Sequence, residues 1–513
     1  MSLSYPELLD RVSKGNGRYS PQAGYVGGQL TRTNADFRPR NRSADAHVKS
    51  DDKLLKARSR WLGRNNPMCI GVKNTLVNNV IGTGIKTKAQ VRDASGELLK
   101  DFNTQADDLY ARWMGEADTR GRQHWYQMSR TNLHETIEAG NGFLVERQIN
   151  DPGRLIPLAF ELRESDQLDE TRDRPAGDGV NEIRRGIEFD GRGRAVAYYF
   201  WTEHPGGVYT GRYESERIPA WQVIHLYRGE RPSQTQGVSW FAPLVRNLWH
   251  LYDYMEYEIA AAKVASYFVY MHKRDDWGEG ADDYFVDENG DAGPLDVDGN
   301  EMLPLGPGIG LTGGPNDSIE VIQSNRPNSQ ATAWITLLMQ MMGNGVGLSL
   351  QRFTGDYSKT NFSSARAGDL QDRKGFVPMQ HWHTWYVDLE VRRRVTQQLI
   401  GSGLLPVPNG GIARFNRNPF RWLQAVARPP GWGYVDPEKQ IRAAKEAIAA
   451  GLGNFELFFA DIGLDSVEVH KKLAEELKDM KADGLPVEQM LWGKIEQMAA
   501  EAQSAREEEE DEE

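Results

Sequence analysis

The sequence predicts an α+β fold divided among several domains, and three observations lead to this prediction. Apolar residues recur at helical spacing over several long stretches, chiefly 51–81, 105–140, 239–273 and 362–400. Short runs rich in β-branched and aromatic residues are gathered within 142–228 instead of alternating with helices, which argues against βαβ units. The chain has 513 residues, more than a single hydrophobic core usually serves.

The amino-acid composition is typical of a folded protein, but it is somewhat more polar and more acidic than average. The formal net charge is −12, with 39% apolar and 26% charged residues, which argues against a simple nucleic-acid coat protein. Cys69 stands alone, so an internal disulfide and a thiolate metal cluster are excluded. We expect Cys69 to be a small buried apolar residue in a protein that folds in a reducing cytoplasm. We expect no signal peptide and no membrane-spanning helix.

The first 50 residues are predicted to form an extended arm rich in Gly, Arg, Asn and Ser. Ten Lys or Arg residues stand against four Asp or Glu between Arg32 and Arg64. This balance favours a solvated or partner-binding arm over a nucleic-acid site.

Residues 51–81 are predicted to form two helices separated at Asn65-Asn66-Pro67, because proline suits the first turn of the second helix. Gly82 and Gly84 then end that helix, and a strand follows at 85–91. A helical stretch at 105–140 precedes five predicted strands, which cover 142–148, 155–162, 182–190, 195–201 and 218–228. Residues 191–194, Gly-Arg-Gly-Arg, are predicted to form a hairpin connection.

The second half is dominated by helices. Residues 239–273 predict one helix of roughly 50 Å, and the breaker-rich stretch 275–316 predicts a non-helical segment. Another helix is predicted over 331–350, followed by a polar connection at 351–361 in which Asn361 or Ser363 caps a long helix over 362–400. From Asp436, a predicted N-cap before Pro437, the chain is again predicted to be helical, up to an acidic and disordered tail at 507–513.

No motif for catalysis, cofactor binding or metal binding is found. A G-x-x-x-x-G-K-S/T phosphate loop is missing, and the glycine clusters 306–310 and 343–347 lack a βαβ frame. His381 and His383 point apart on a helix, and the Asp-rich stretch 276–299 does not meet the spacing of a calcium loop. The sequence therefore predicts neither an enzyme nor a resident metal or cofactor.

Four segments in order resemble the lambda-type tailed-bacteriophage portal family. They are RSRWLGRNNP with VIGTGIK (58–86), IPAWQVIHLYRGERPSQTQGVSWFAPL (218–244), GVGLSLQRFTGDYSKTNFSSARAG (345–368) and VDPEKQIRAAKEAIAAGL (435–452). The third segment is the most specific, with Phe353 for the usual Leu and Phe362 for the usual Tyr, while Gln236 and Ser239 depart from the second pattern. The resemblance covers roughly residues 50–470.

This resemblance implies the phage portal fold: an α+β wing, a helical stem, a small α/β clip and a helical crown, assembled into a ring. The implied division is an N-terminal arm (1–50), wing (51–238 and 362–430), stem helices (239–274 and 331–350), clip (275–330), tunnel loop (351–361), crown-like C-terminal region (431–506) and acidic tail (507–513). The tunnel loop would place seven residues beside the DNA channel, namely Arg352, Thr354, Asp356, Tyr357, Ser358, Lys359 and Asn361.

The resemblance also implies partners and location. Subunits would form a ring of usually twelve copies at one capsid vertex, contacting the terminase large subunit, the major capsid protein and a head–tail adaptor, with no membrane association. Double-stranded DNA would pass without sequence specificity, and the protein would occupy the host cytoplasm during assembly and then the virion. An acidic wall would repel and centre DNA, while Arg352 and Lys359 would touch phosphates transiently. The alternatives are another virion ring or head–tail adaptor and, more remotely, an enzyme with an unrecognised site.

Overall fold

A computed structural model of the chain describes residues 28, 32, 35–208, 214–273, 309–313, 331–433 and 437–482. Most of the predicted arm and clip, the predicted N-cap Asp436 and the whole acidic tail lie outside the described residues.

Two consecutive helices, α1 (Ala44–Asn65) and α2 (Pro67–Val80), open the described fold and confirm the predicted break. The side chain of Asn66 accepts hydrogen bonds from the amides of Met68 and Cys69, and Pro67 occupies the first helical position, as the sequence predicts. Helix α1 begins seven residues earlier than predicted, because Ser43 caps it. Cys69 is buried, which confirms its predicted role, and burial raises the pKa of its thiol to about 12.

An α+β region follows, and its element order confirms the predicted class. It contains β1 (Lys86–Ala89), α3 (Lys100–Trp113), α4 (Trp125–Ala139), β2 (Asn141–Gln148), β3 (Leu158–Arg163), β4 (Glu182–Arg184), β5 (Ile187–Phe189), β6 (Ala195–Trp201), β7 (Ser215–Pro219) and β8 (Val223–Tyr227). Strands β3-β2-β8 form one antiparallel sheet, and β4-β5-β6-β7 form a second.

Two of the strands predicted in this region are wrong, because each of them is interrupted and forms two shorter strands. The single strand predicted over 182–190 is a hairpin, in which Arg185 (φ 46°) and Gly186 (φ 79°) turn the chain between β4 and β5. The strand predicted over 218–228 is two strands separated by a short 3₁₀ turn at Ala220–Gln222. The predicted hairpin at 191–194 is confirmed by the antiparallel pairing of β5 with β6.

Buried charges join α1 to the hairpin turn. The ammonium of Lys56 lies 2.8 Å from Asp52 and 2.7 Å from Glu170, and the guanidinium of Arg185 lies 3.0 Å from Glu170. Arg185 also bonds Asp52. Part of the basic stretch 32–64 therefore serves internal packing, because a buried charge is stable only when it is paired.

The long helix α5 (Val245–Tyr267) has 23 residues and a length of about 35 Å. It is shorter than the predicted helix over 239–273, because the chain continues as strand β9 (Phe268–Lys273). Strand β9 pairs in parallel with β10 (Ile309–Gly313), the only described part of the segment 275–330.

The chain then forms α6 (Ala331–Gly345), α7 (Leu350–Thr354) and α8 (Phe362–His383). A π-helical turn (Thr384–Asp388) joins α8 to α9 (Leu389–Gly401), so the long helix predicted over 362–400 is confirmed apart from this turn. The connection predicted over 351–361 begins as helix, since α7 includes its first four residues.

Short elements complete the described chain: α10 (Gly411–Arg417), α11 (Pro419–Trp422), β11 (Ala425–Arg428), α12 (Pro437–Ala449), α13 (Phe455–Asp461) and α14 (Ser466–Ala482). Strand β11 pairs antiparallel with β1. Pro437 is the first residue of α12, as predicted.

Three apolar cores hold these parts together. The first packs α3, α4 and the three-stranded sheet against α9, with Trp113, Trp125 and Val395 fully buried. The second surrounds α2 and includes Leu244, just before α5, together with Phe353 of α7 and Phe376 of α8. The third, around Phe143 and Phe200, lies between the two sheets. Among the described residues, no helix is long and apolar enough to cross a membrane.

Candidate functional site

The candidate site is the segment that joins α6 to α8, and its base is fixed by Asp372 of α8. The amide of Ser349 donates to one carboxylate oxygen of Asp372 at 2.8 Å, and the Ser349 hydroxyl donates to the other at 2.7 Å. The same hydroxyl accepts from the amide of Arg352 and so caps α7. Asp372 is only 3% exposed, so these bonds are made away from water.

Arg352 completes a charged cluster at this base, which we call the anchor network: Ser349, Arg352, Asp369, Asp372 and Arg373. The guanidinium of Arg352 bonds Asp369 and lies 3.4 Å from Asp372. Arg373 lies 2.7 Å from the other oxygen of Asp369. The side chain of Arg352 is 23% exposed. Its positive charge is matched by the carboxylates of Asp369 and Asp372.

An aromatic contact holds α7 from beneath. Phe353 is buried in the core around α2, and it lies against Gly343 at the end of α6. A Cβ at Gly343 would lie 2.9 Å from the Leu348 carbonyl oxygen and 3.2 Å from the Phe353 Cβ, so a larger residue would push α7 away. Gly355, with φ 74°, ends α7 in the left-handed region and releases the chain into the tip.

The tip comprises residues 355–361, and local hydrogen bonds give it a defined shape. The amide of Ser358 donates to Asp356 at 2.9 Å, forming an Asx turn, and the amide of Thr360 donates to the Tyr357 carbonyl at 3.1 Å. A hydrogen bond from the Ser358 side chain holds the pKa of Asp356 below its usual value, helped by the Ser358 amide. The tip therefore carries one fixed anion, at Asp356, and one exposed cation, at Lys359.

Asn361 begins the next helix. Its side chain accepts from the amide of Ser364 at 2.8 Å, which confirms one of the two predicted caps and identifies Asn361 as the one used. The rigid start of α8 and the anchored α7 thus hold both ends of the tip.

The structure divides the seven predicted site residues into two groups. Arg352 and Thr354 lie in α7, where Thr354 bonds back to the Leu350 carbonyl at 2.8 Å. The others lie in the exposed tip, and they are Asp356, Tyr357, Ser358, Lys359 and Asn361. Sequence reasoning missed Asp369 and Asp372, although two acids three residues apart on a predicted helix beside a polar segment were a usable signal.

A second polar cluster occurs in the described part of the chain, on the α+β region. Glu164, Asp166 and His204 bring one ligand atom each within 4.8 Å of one another. The guanidinium of Arg60 lies 2.5 Å from Asp166 and 3.4 Å from Glu164. A cation is therefore already part of this cluster, and it is supplied by the protein itself.

Comparison with known proteins gives one family. The family model described as phage portal protein, lambda family, matches residues 30–380. The chain is 25% identical over 468 residues to a probable portal protein of Halomonas phage phiHAP-1, covering 89% of this chain and 86% of that protein. It is 22% identical over 509 residues to the portal protein of Escherichia phage N15, with 91% of each chain covered.

The portal protein B of Escherichia phage lambda is 19% identical over 520 residues, covering 94% of this chain and 93% of that protein. Among solved structures, a chain in the neck of a native gene transfer agent particle, computed with C12 symmetry, is 12% identical with a TM-score of 0.35. That match covers 79% of this chain and 93% of the other. A chain in the virion of a native gene transfer agent particle is 13% identical with a TM-score of 0.36, covering 81% and 93%.

Proposed function

Because the chain belongs to the lambda family of phage portal proteins, we propose that its copies form a ring channel at one capsid vertex, through which double-stranded DNA enters and later leaves. The observation that carries this proposal is the family match over residues 30–380, more than half of the chain. The same match favours a portal over the alternative of a head–tail adaptor.

We propose that the elements described above correspond to the wing, stem, clip and crown of a portal subunit. We assign the α+β region and the helices returning to it to the wing, and α5 with α6 to the stem. Residues 275–330 would form the clip, and the region from 431 the crown. Helices α5 and α6 contact each other, which supports a paired stem.

Ring closure needs a surface that one subunit cannot cover, and α6 offers one. Trp334, Leu337 and Met341 follow each other at helical spacing and are 60%, 55% and 62% exposed. No charged residue occurs from Ala331 to Leu350. An exposed apolar stripe of this kind is a feature of interaction surfaces, so we assign it to the contact between neighbouring subunits.

Passage of DNA requires contacts that are weak, because each cation on a phosphate adds affinity by releasing counterions. We propose that Lys359 in the tip makes the transient phosphate contact. Arg352 is matched by two carboxylates, and we therefore give it the role of positioning the tip. The terminase large subunit, the major capsid protein and a head–tail adaptor remain the proposed partners, and we assign the energy of packaging to the terminase.

Native mass spectrometry with negative-stain imaging of the purified chain tests the ring. We expect a closed ring of about twelve copies with an axial hole, a count implied by the family resemblance. Trp334→Asp should lower the ring fraction several-fold, since it places a charge on the apolar stripe. Trp221→Asp is the matched control, because Trp221 is similarly exposed at 66% but lies outside the stem. A chain that stays monomeric across salt concentrations and in the presence of capsid protein would contradict the proposal.

DNA packaging assays test the tip. Lys359→Glu should reduce the DNA retained per particle, while Lys359→Arg, which keeps the charge, should not. Equal packaging by both variants would remove Lys359 from the mechanism and leave the ring proposal intact.

A further inference from the structure

A recess lies where α1 meets the start of α5, apart from the site described above. It has a volume of about 800 Å³ and is walled by two indoles, Trp61 and Trp249. Their ring centroids are 5.6 Å apart in an edge-to-face arrangement. Trp249 is 48% exposed, which is a large apolar surface to leave uncovered.

Basic residues surround this recess. Arg58, Arg246 and His250 line it and are exposed, and none of the described residues that line it is acidic. Among the residues that the structure describes, no salt bridge is found for these three side chains, although Arg60 on the same helix α1 is bonded to carboxylates. A purely basic patch is unexpected on a chain of net charge −12.

We infer that this recess binds the acidic tail of the chain, Glu507–Glu513. The tail presents seven consecutive carboxylates, which complement the basic rim. The 24 residues from 483 to 506 separate the tail from the end of α14, and a chain of this length spans about 36 Å as a helix and up to about 80 Å when extended.

The shape of the recess favours a peptide over duplex DNA. A duplex presents phosphates on a convex surface with its bases stacked inside, so it would touch the basic rim and leave both indoles uncovered. A peptide strand fits into a concave recess, where its carboxylates can face the basic rim while the two methylenes of each Glu side chain lie against Trp61 or Trp249. This occupant therefore accounts for the basic and the aromatic parts together.

Zero-length cross-linking in the full chain tests this inference. Arg58→Lys and Arg246→Lys keep the charge and introduce an amine that a carbodiimide couples to a carboxylate in direct contact. Arg192→Lys, on the exposed hairpin between β5 and β6, is the matched control. Linked peptides are then identified by mass spectrometry, and the size of the product shows whether the tail comes from the same copy or another.

Coupling of Glu507–Glu513 to Lys at positions 58 and 246 should exceed coupling at position 192 several-fold and fall in high salt. Equal coupling at all three positions would overturn the inference. Binding of a short duplex DNA is measured in parallel. If Arg58→Glu with Arg246→Glu abolishes DNA binding while no tail coupling is seen, the recess is a phosphate site and the inference fails.

Discussion

Asp372 shows how one buried carboxylate fixes the geometry of an exposed loop. It accepts from the amide and the hydroxyl of Ser349 and faces the guanidinium of Arg352. Loop tips exposed to solvent usually owe little to their own contacts and much to the residues that hold their ends. The position of the tip is therefore decided by a residue that the tip does not contain.

Replacing Asp372 with Ala should lower the free energy of unfolding by about 2–4 kcal/mol, because buried donors lose their acceptor and Arg352 loses a partner. Urea or guanidinium titration measures this change. Asp369→Ala is the control at the more exposed end of the anchor network, where the side chain of Asp369 is 23% exposed, and it should cost about 1 kcal/mol or less. Equal losses for the two variants would show that burial does not set the contribution.

His134 gives the molecule an acid-sensitive residue. Burial lowers the pKa of its imidazole to about 4, and the nearby charges of Lys73 and Arg130 add to the effect. In the unfolded chain His134 binds a proton below about pH 6.5, the ordinary pKa of histidine. In the folded chain it stays neutral until the pH approaches about 4. The free energy of unfolding should therefore fall as the pH decreases through this interval.

The contribution of His134 amounts to about 1.4 kcal/mol per pH unit at most. We expect His134→Gln to reduce the slope of the free energy of unfolding against pH between pH 6.5 and 4, measured by denaturant titration at each pH, while His225, whose pKa burial lowers to about 3, keeps its own contribution. His381→Gln, which makes the same replacement at an exposed position of α8, is the matched control. An unchanged slope in His134→Gln would assign the acid sensitivity to other groups.

The π-helical turn between α8 and α9 is fixed by buried polar side chains. His383 and Asp388 are both fully buried, with imidazole Nδ1 2.8 Å from the carboxylate, and the hydroxyl of Ser129 in α4 lies 3.5 Å from imidazole Nε2. The extra residue of a π turn is costly unless tertiary contacts select it. Here it turns His383 and Asp388 toward α4 and leaves Trp385 and Tyr386 exposed.

His383→Leu should destabilise the chain by about 3 kcal/mol, because the carboxyl of Asp388 stays buried without its partner. The double variant His383→Leu with Asp388→Leu should be less destabilised than the single one, since both polar groups are then removed. Thermal or denaturant unfolding of the three proteins gives the coupling. A double variant less stable than the single would mean that the pair does not carry the turn.

Elements whose signals are local could be predicted from the sequence. The break between α1 and α2 depends on Asn66 and Pro67 alone, and the cap of α8 depends on Asn361. The end of α5 could not be predicted, because the apolar run 267–271 fits the periodicity of a helix and of a buried strand equally well.

The features that sequence reasoning missed are tertiary. The hairpin turn at Arg185 requires a positive φ at a residue other than glycine, which the contacts with Asp52 and Glu170 stabilise. The anchor network and the π turn likewise depend on partners far away in the chain. The sequence therefore predicts the tip as an exposed polar connection, and it does not predict the residues that hold the tip in place.

At the scale of the whole molecule, the proposed ring must bring together many acidic subunits. Each chain carries a formal charge of −12, and the stripe on α6 that we assign to the subunit contact carries no charge. Charges on neighbouring subunits repel within a screening length of about 10 Å at 0.1 M salt. Assembly should therefore be limited by repulsion and driven by apolar contact.

Raising the salt concentration from about 0.05 to 0.3 M should increase the ring fraction, because the repulsion is screened while the apolar contact is not weakened. Mass photometry across the salt series measures this fraction. Trp334→Ala, which shortens the stripe without adding a charge, should lower the ring fraction at every salt concentration. Rings that dissociate as salt rises would show instead that ion pairs between subunits dominate.

Strand β1 can pair with β11 only late in the synthesis of this protein. Lys86 lies opposite Arg428, so the two strands are separated by about 340 residues of chain. A ribosome that adds 5–20 residues per second needs roughly 20–70 s between them. During that interval β1 has no partner strand, and for most of it the first core also lacks the side chains that α9 contributes, such as Val391 and Val395. The nascent chain therefore stays partly folded until β11 has been made, and chaperones can bind its exposed apolar surface during that time.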